Sequence, residues 1–474
     1  MGCGSSKVSS VVHINHDTSS RTQSSLHGHV ERVENLEMYS SKQSVSNESF
    51  KQRKKKLIPN VEIFKKADER VFQAPASELS GKELVEFLIE PFQDSDLMKL
   101  RVIWSWVTHN IVYDVDSYFN PSNQKHSDVD AKNVLATGKA VCSGYANVCK
   151  YMTNLASLRM ETITGWAKGF SYVTGTSFSD QNTNHAWNAV YLADSWWLLD
   201  STWSAGYVDS NKNFIQKYNE HFFLTNPEEF IYDHLPENSD WQLLDTPISL
   251  KTYEDLAKFS TDFFRLKMKA VTHTNGTINC SDGKIHMKYK IEREIPIKCI
   301  GKLIKEGATK AIDNHIHTYT TEKVLHVLVS LPSKGAYHLK LFAGEANTEE
   351  KDQLPVISSY VINCAKEQEI CAVYPKQYKK WSPGFYLHSP TEGQLYVGET
   401  YPFKISLPGI IEMAVCLGGK KSSWLRLPNT TGVVWEGDVT MEAGTERVSV
   451  LAKFDKQVNS TFSSLLEYQV LDKT

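Results

Sequence analysis

The chain has no long apolar run. Nowhere in its 474 residues do about 18 apolar side chains follow one another, the length a helix needs to cross a bilayer. No apolar segment of signal-peptide type lies near Met1, so a secreted or membrane-spanning protein is not expected. Paired cysteines are missing as well. The eight, at positions 3, 142, 149, 280, 299, 364, 371 and 416, make neither a dense disulfide framework nor a CxxC metal pair. Free thiols in a reducing, cytoplasmic setting follow from that. Charge imbalance is absent: 52 Lys and Arg against 55 Asp and Glu give −3, and no overall field favours nucleic acid. No EF-hand loop of the required spacing occurs, and no cofactor or metal site is expected. What remains is an ordinary globular composition, 41% hydrophobic and 23% charged, in a chain long enough for two to four domains.

The first segment, 1–60, reads as a disordered, lipidated tail. Met1-Gly2-Cys3-Gly4-Ser5-Ser6 fits a myristoylation start, with Gly2 as acceptor and Cys3 beside it as a palmitoylation candidate. One acyl chain holds a membrane only marginally, so a second signal is needed. Cys3 supplies one, and the basic run Lys51-Gln-Arg-Lys-Lys-Lys56 is a further candidate against an anionic inner leaflet. Residues 8–58 are polar and poor in large apolar side chains, which predicts disorder.

A globular segment, 61–250, follows. Its centre is Val141-Cys142-Ser-Gly-Tyr-Ala146, where a glycine-containing turn runs straight into a helical apolar pattern of Ala146, Val148, Cys149, Met152 and Leu155. The Cys142 sulfur then sits at a helix start, where unpaired N–H groups favour a thiolate. Cys149 falls on the apolar face and reads as packing. Downstream, His185-Ala-Trp-Asn-Ala-Val-Tyr-Leu192 and Trp196–Trp203 read as two antiparallel strands joined by an Ala-Asp-Ser turn. That hairpin makes His185 and Asp200 cross-strand neighbours. Cysteine, histidine and aspartate in this order supply a nucleophile, a proton shuttle and an orienting acid for acyl transfer at an amide. The oxyanion needs donors, and the Cys142 N–H is the first; an indole is a candidate second, with Trp106 placed for it. Against this stand plainer roles: a packing histidine, and an Asp200 that caps the turn after it.

These residues resemble the transglutaminase-like superfamily, whose core is related to papain-type peptidases. The pieces that carry the resemblance are Trp106-Val-Thr-His-Asn-Ile-Val-Tyr113-Asp, Val141–Ala146, His185-Ala-Trp-Asn and Leu199-Asp-Ser-Thr-Trp203. The stretch Phe222–Pro236, followed by Trp241-Gln-Leu-Leu244, is similar to the kyphoscoliosis peptidase and hillarin branch. The resemblance implies Cys142, His185 and Asp200 as nucleophile, base and orienting acid, and a cytoskeleton-associated protein. The LIM module of some hillarin relatives has no counterpart here.

Past about 260 the pattern becomes short alternating strands, as in Lys284–Ile291, Val324–Ser330 and Tyr337–Phe342. It repeats weakly after 375, with Cys299 and Cys416 at equivalent, core-like places. Two β-sandwich, Ig-like units, 251–368 and 369–474, are expected. The whole is an α+β protein: a papain- or transglutaminase-like core, then two sandwiches. Two functions fit. One is a membrane-tethered thiol enzyme acting on protein substrates, by hydrolysis or by glutamine acyl transfer. The other is a non-catalytic scaffold that links cytoskeletal proteins to the membrane.

Overall fold

The structure is a computed structural model, and it describes residues 48–74, 80–120, 126–346, 354–365, 373–419, 422–455 and 461–473. Gly2 and Cys3 lie outside the described residues.

Helix α1 (Phe50–Leu57) occupies the basic run that sequence reasoning assigned to a disordered linker. A capping box starts it: Ser49 and Gln52 bond each other's backbone N–H groups. Phe50 and Leu57, two turns apart, are partly buried against the main core. The Phe50 ring lies 4.6 Å from that of Trp197. Arg53 donates to Ser195 Oγ at 2.8 Å and Lys54 to the Phe223 carbonyl at 3.3 Å. The tail therefore ends earlier than expected, and part of its positive charge is spent on docking. Lys51, Lys55 and Lys56 stay exposed, the last paired with Glu48 at 2.9 Å.

Helices α2 (Lys65–Val71), α3 (Gly81–Ile89) and α4 (Asp96–Asn110) follow. Ser80 and Glu83 form a capping box at α3, and the Ser95 hydroxyl caps α4. Helix α4 is buried on nearly every side, by Leu100, Val102, Ile103, Trp104 and Val107, as a central core helix should be. Its one buried cation, Arg101, donates to Asp68 at 2.7 and 2.8 Å and to Glu220 at 2.7 and 2.8 Å. That double fork satisfies the charge within the fold.

Strand β1 (Val112–Tyr113) then leads through α5 (Val115–Phe119) and α6 (Ala131–Thr137) to β2 (Lys139–Ala140) and α7 (Cys142–Leu155). Helix α7 packs on β3 (Arg159–Ala167) and β4 (His185–Leu192). The sheet is completed by β5 (Ser195–Leu199) and, after α8 (Ser201–Ala205), β6 (Gly206–Val208), β7 (Phe214–Gln216) and α9 (Pro227–Phe230), by β8 (His234–Pro236). Its order is β5-β4-β3-β8, all antiparallel. The β4–β5 turn has two residues, Ala193 and Asp194, with φ of 48° and 57°; Ser195 already pairs with Leu192. Such a turn matches the twist of a hairpin. The second strand stops at Leu199, and Ser201–Ala205 is helical, where sequence reasoning extended the strand to Trp203.

Two further cores lie downstream, one from residues between Ala257 and Cys364 and one between Trp381 and Val470. Each is a pair of antiparallel-based sheets, and they share a topology. In the first, Ile297–Lys305, Gly335–Glu345 and Val356–Cys364 are consecutive neighbours, and Thr277–Cys280 runs parallel to the last. In the second, Glu412–Gly419, Thr445–Lys453 and Ser463–Leu471 repeat this, with Gln394–Tyr396 parallel to the last. The weak sequence repeat is thus a repeat of strand order. Cys299 is buried as expected, whereas Cys416 is only half-buried.

Candidate active site

The site is assembled by pinning three turns to one another. Gly138 closes α6 with φ of 64° and donates to the Val134 carbonyl at 2.8 Å, a left-handed cap that glycine adopts without strain. The chain then pairs β2 with β1 in parallel, Ala140 opposite Tyr113, and Asp114 donates to the Ala140 carbonyl at 2.9 Å. Val141 precedes α7 without any side-chain cap, so the Cys142 sulfur stands at the first turn among uncapped N–H groups.

On the facing sheet, His185 opens β4 opposite Gly165 of β3. Gly165 has no room for a side chain: a Cβ would lie 2.1 Å from the Leu235 carbonyl oxygen and 2.6 Å from the Trp187 ring. That close approach brings β8 beside β3 behind His185. Asp200, wholly buried, uses its two oxygens differently. Oδ1 accepts the N–H groups of Thr202 and Trp203 at 2.7 and 3.1 Å, capping α8. Oδ2 lies 2.7 Å from His185 Nε2. With Nε2 so engaged, Nδ1 is the ring nitrogen left to face Cys142, whose charge and that of His185 influence each other.

The electrostatics follow from these contacts. Burial alone would push the Cys142 thiol up, but the His185 hydrogen bond and charge, helped by the Ala186 N–H, hold it below its ordinary value. Burial works against a charged His185 too, yet the Asp200 carboxylate and then the sulfur raise it to about 10. Asp200, opposed by burial, is held far below the usual carboxylate range by His185 and by His234. All three shifts run in the direction that favours a thiolate beside an imidazolium. Cys149, in contrast, is buried in the core and pushed up to about 12, as a packing thiol should be.

Sequence reasoning did not single out two residues that the fold brings here. His234, on β8, places Nε2 3.1 Å from Asp200 Oδ2 and Nδ1 2.6 Å from Asp233 Oδ1. Tyr113 lines the cleft with His185; burial, followed by the charge at Cys142, keeps its phenol protonated well above the ordinary range. Trp106, the indole candidate, is half-buried against the main core cluster on α4 and is not among the residues lining the cleft at His185. That cleft, of about 1860 Å³, is walled by Tyr113, Tyr118, Phe170, Trp203 and Tyr207 and runs on to the start of the first sandwich at Phe259 and Phe263.

Among the described residues, His185, Asp200 and His234 could together hold a metal ion, their ligand atoms lying within 4.8 Å of one another. Their contacts to Asp200, 2.7 and 3.1 Å, are hydrogen-bond lengths. An ion there would displace the very bond that orients His185, so we read the trio as linked by protons.

Comparison with known proteins places this geometry in context. Residues 88–201 match the transglutaminase-like superfamily, and residues 250–375 match the KY-like, immunoglobulin-like domain. Kyphoscoliosis peptidase of Homo sapiens is 25% identical, over 88% of this chain and 78% of its own. Hillarin of Drosophila melanogaster is 25% identical over 59% of this chain and 37% of its own. Cytokinesis protein 3 of Schizosaccharomyces pombe is 22% identical over 69% of this chain and 38% of its own. The chain thus carries a transglutaminase-like core followed by an immunoglobulin-like domain.

Proposed function

With a transglutaminase-like core as premise, we propose that this chain is a thiol enzyme that acts on amide bonds of proteins. The observation that carries the reading is the buried His185–Asp200 hydrogen bond of 2.7 Å, with Cys142 at the start of α7 close enough for its thiol to be held down and the imidazole raised. The thiolate attacks the carbonyl carbon, and the amide electrons move onto oxygen. The Cys142 N–H at the uncapped start of α7 is placed to receive that charge. His185 then hands its proton to the leaving amine, and Asp200 keeps the ring in the tautomer this needs. Water or a second amine completes the cycle from the opposite direction, giving hydrolysis or acyl transfer. The long, aromatic-walled cleft suits an extended polypeptide better than a small amide. One relative's printed name, kyphoscoliosis peptidase, favours hydrolysis.

The test is a comparison of the full chain with Cys142→Ala on a mixture of unfolded proteins. New N-termini report hydrolysis, and incorporation of a labelled amine reports acyl transfer. One of the two should exceed the Cys142→Ala background. If neither does, the fold is a scaffold and the enzymatic reading fails.

The tether is proposed on the sequence alone: acylation of Gly2, reinforced at Cys3, holds the protein at the inner leaflet. The exposed Lys51 and Lys55 of α1 add a modest electrostatic attraction. Protein partners in the cytoskeletal or division machinery are proposed from the relative named for cytokinesis. Gly2→Ala should move the protein from the membrane pellet to the supernatant in cell fractionation; unchanged partitioning removes acylation from this account.

A further inference from the structure

We infer that His234 is a positioning residue for the thiol site, holding the same oxygen of Asp200 that His185 meets. The inference rests on the thiol-enzyme reading above and extends it to a fourth residue. His234 is wholly buried and enters the site from β8, whose place beside β3 is set by the pairs Gly165 with Pro236 and Ala167 with His234. Each of its ring nitrogens faces a carboxylate oxygen, Asp233 Oδ1 at 2.6 Å and Asp200 Oδ2 at 3.1 Å. A carboxylate only accepts, and a neutral imidazole has one N–H to give. An N–H at Nε2 is therefore what ties His234 to Asp200, with Asp233 on the other side of the ring.

The consequence falls on Asp200. Its four acceptor sites are then all used: His185 and His234 donate to Oδ2, and the N–H groups of Thr202 and Trp203 donate to Oδ1. A carboxylate held on both oxygens cannot rotate, and it fixes the plane of His185 and the direction in which its Nδ1 meets the sulfur. The other walls of His234 are uncharged rings: Phe230 stacks on it at 4.0 Å, and Trp203 lies at 4.4 Å. The titratable groups that face it are Asp200, Asp233 and His185, with His221 further off.

The experiment measures the rate of Cys142 alkylation by iodoacetamide from pH 5 to 9 in the full chain, with melting temperature as the check of folding. His234→Phe keeps the ring and its stacking but gives no N–H. It removes one of the two donors to Oδ2, so His185 alone holds that oxygen, and a less firmly fixed carboxylate supports the His185 cation less well and makes the thiol harder to ionise. The acid limb should move up by about one pH unit, so that labelling at pH 6 slows about tenfold. His234→Gln, whose amide N–H can reach Asp200, should stay within about threefold of the unaltered protein. A His234→Phe profile that overlies the unaltered one overturns the inference and leaves His234 as packing. If His234→Phe does not fold, His234→Leu, which likewise gives no N–H to Asp200, should shift the limb the same way; an unmoved limb there overturns the inference equally. An ordinary thiol profile in the unaltered protein is a different failure, because it removes the triad itself.

Discussion

Iodoacetamide at pH 6 should label Cys142 at least ten times faster than it labels a cysteine in an unfolded peptide. An ordinary thiol titrates near ~8.5 and is almost wholly protonated at that pH. Cys142 is held lower by the His185 hydrogen bond and charge and by the Ala186 N–H, which together overcome its burial. The sign can be followed group by group. As pH falls, the sulfur is the member that takes up a proton, so labelling is lost on the acid side at a pH below the ordinary thiol range. As pH rises through about 10, His185 gives up its proton. The thiolate survives that step, and labelling stays on its plateau. Turnover does not survive it, because the leaving amine then finds no acid. Alkylation should therefore rise once and stay high, while turnover is bell-shaped. His185→Ala removes the opposing cation and leaves burial in control, so labelling at pH 6 should fall about a hundredfold, equivalent to two pKa units. Cys149 gives the internal control, since its burial leaves it inert in both proteins. A Cys142 no faster than the peptide thiol at pH 6 would sink the enzymatic reading.

Much of this site was legible from residue order because it is built from local rules. A glycine turn running into an apolar period of 3.6 places Cys142 at a helix start, and the structure has Gly138 as the cap and Cys142 as the first helical residue. Two alternating strands with a short turn bring His185 near Asp200, but the pairing ends at Asn188 opposite Leu199, and Asp200 meets His185 from the helix cap just past the strand. The turn was misjudged by one residue, since nothing in Ala-Asp-Ser tells a two-residue loop from a three-residue one until the register is known.

What was missed depends on contacts far apart in the chain. His234 comes 34 residues after its partner Asp200, on a three-residue strand with no periodicity to announce it. Tyr113 was in plain view within a motif, but its place in the cleft needs the parallel β1–β2 pair, a non-local contact. Trp106 stays an open candidate: its half-buried ring packs on the core cluster from α4, the helix that leads into β1 at Tyr113. Helix α1 was hidden because its composition is that of a solvated tail. A helix this short draws its stability from docking rather than propensity, and the docking rests on Phe50, Arg53 and Lys54. One local signal was available, the Ser49 to Gln52 capping box just ahead of the basic run.

Asp200→Asn should lower turnover by about a thousandfold to ten-thousandfold while destabilising the fold less than Asp200→Ala, which should lower both. The contrast follows from the division of labour between the two oxygens. Asparagine serves as well as aspartate at a helix start, so the substituted amide can still accept the Thr202 and Trp203 N–H groups through its one oxygen. In place of Oδ2 it offers an amide donor. His185 can meet that donor only with an unprotonated Nε2, which moves its proton to Nδ1, the nitrogen that should receive the thiol's proton. A ring in that tautomer is a poor base, and losses of about four orders of magnitude are typical of the same exchange in serine-type triads. Alanine loses the cap as well, which typically costs a further ~1 kcal/mol. Urea titration of the three proteins reads the stability effect, and single-turnover cleavage or amine incorporation reads the chemistry. If Asp200→Asn keeps turnover within about tenfold of the unaltered chain while Asp200→Ala is destabilised, Asp200 is a helix cap and nothing more, and the orientation of His185 must be credited to the rings of Trp187 and Trp203 that pack beside it.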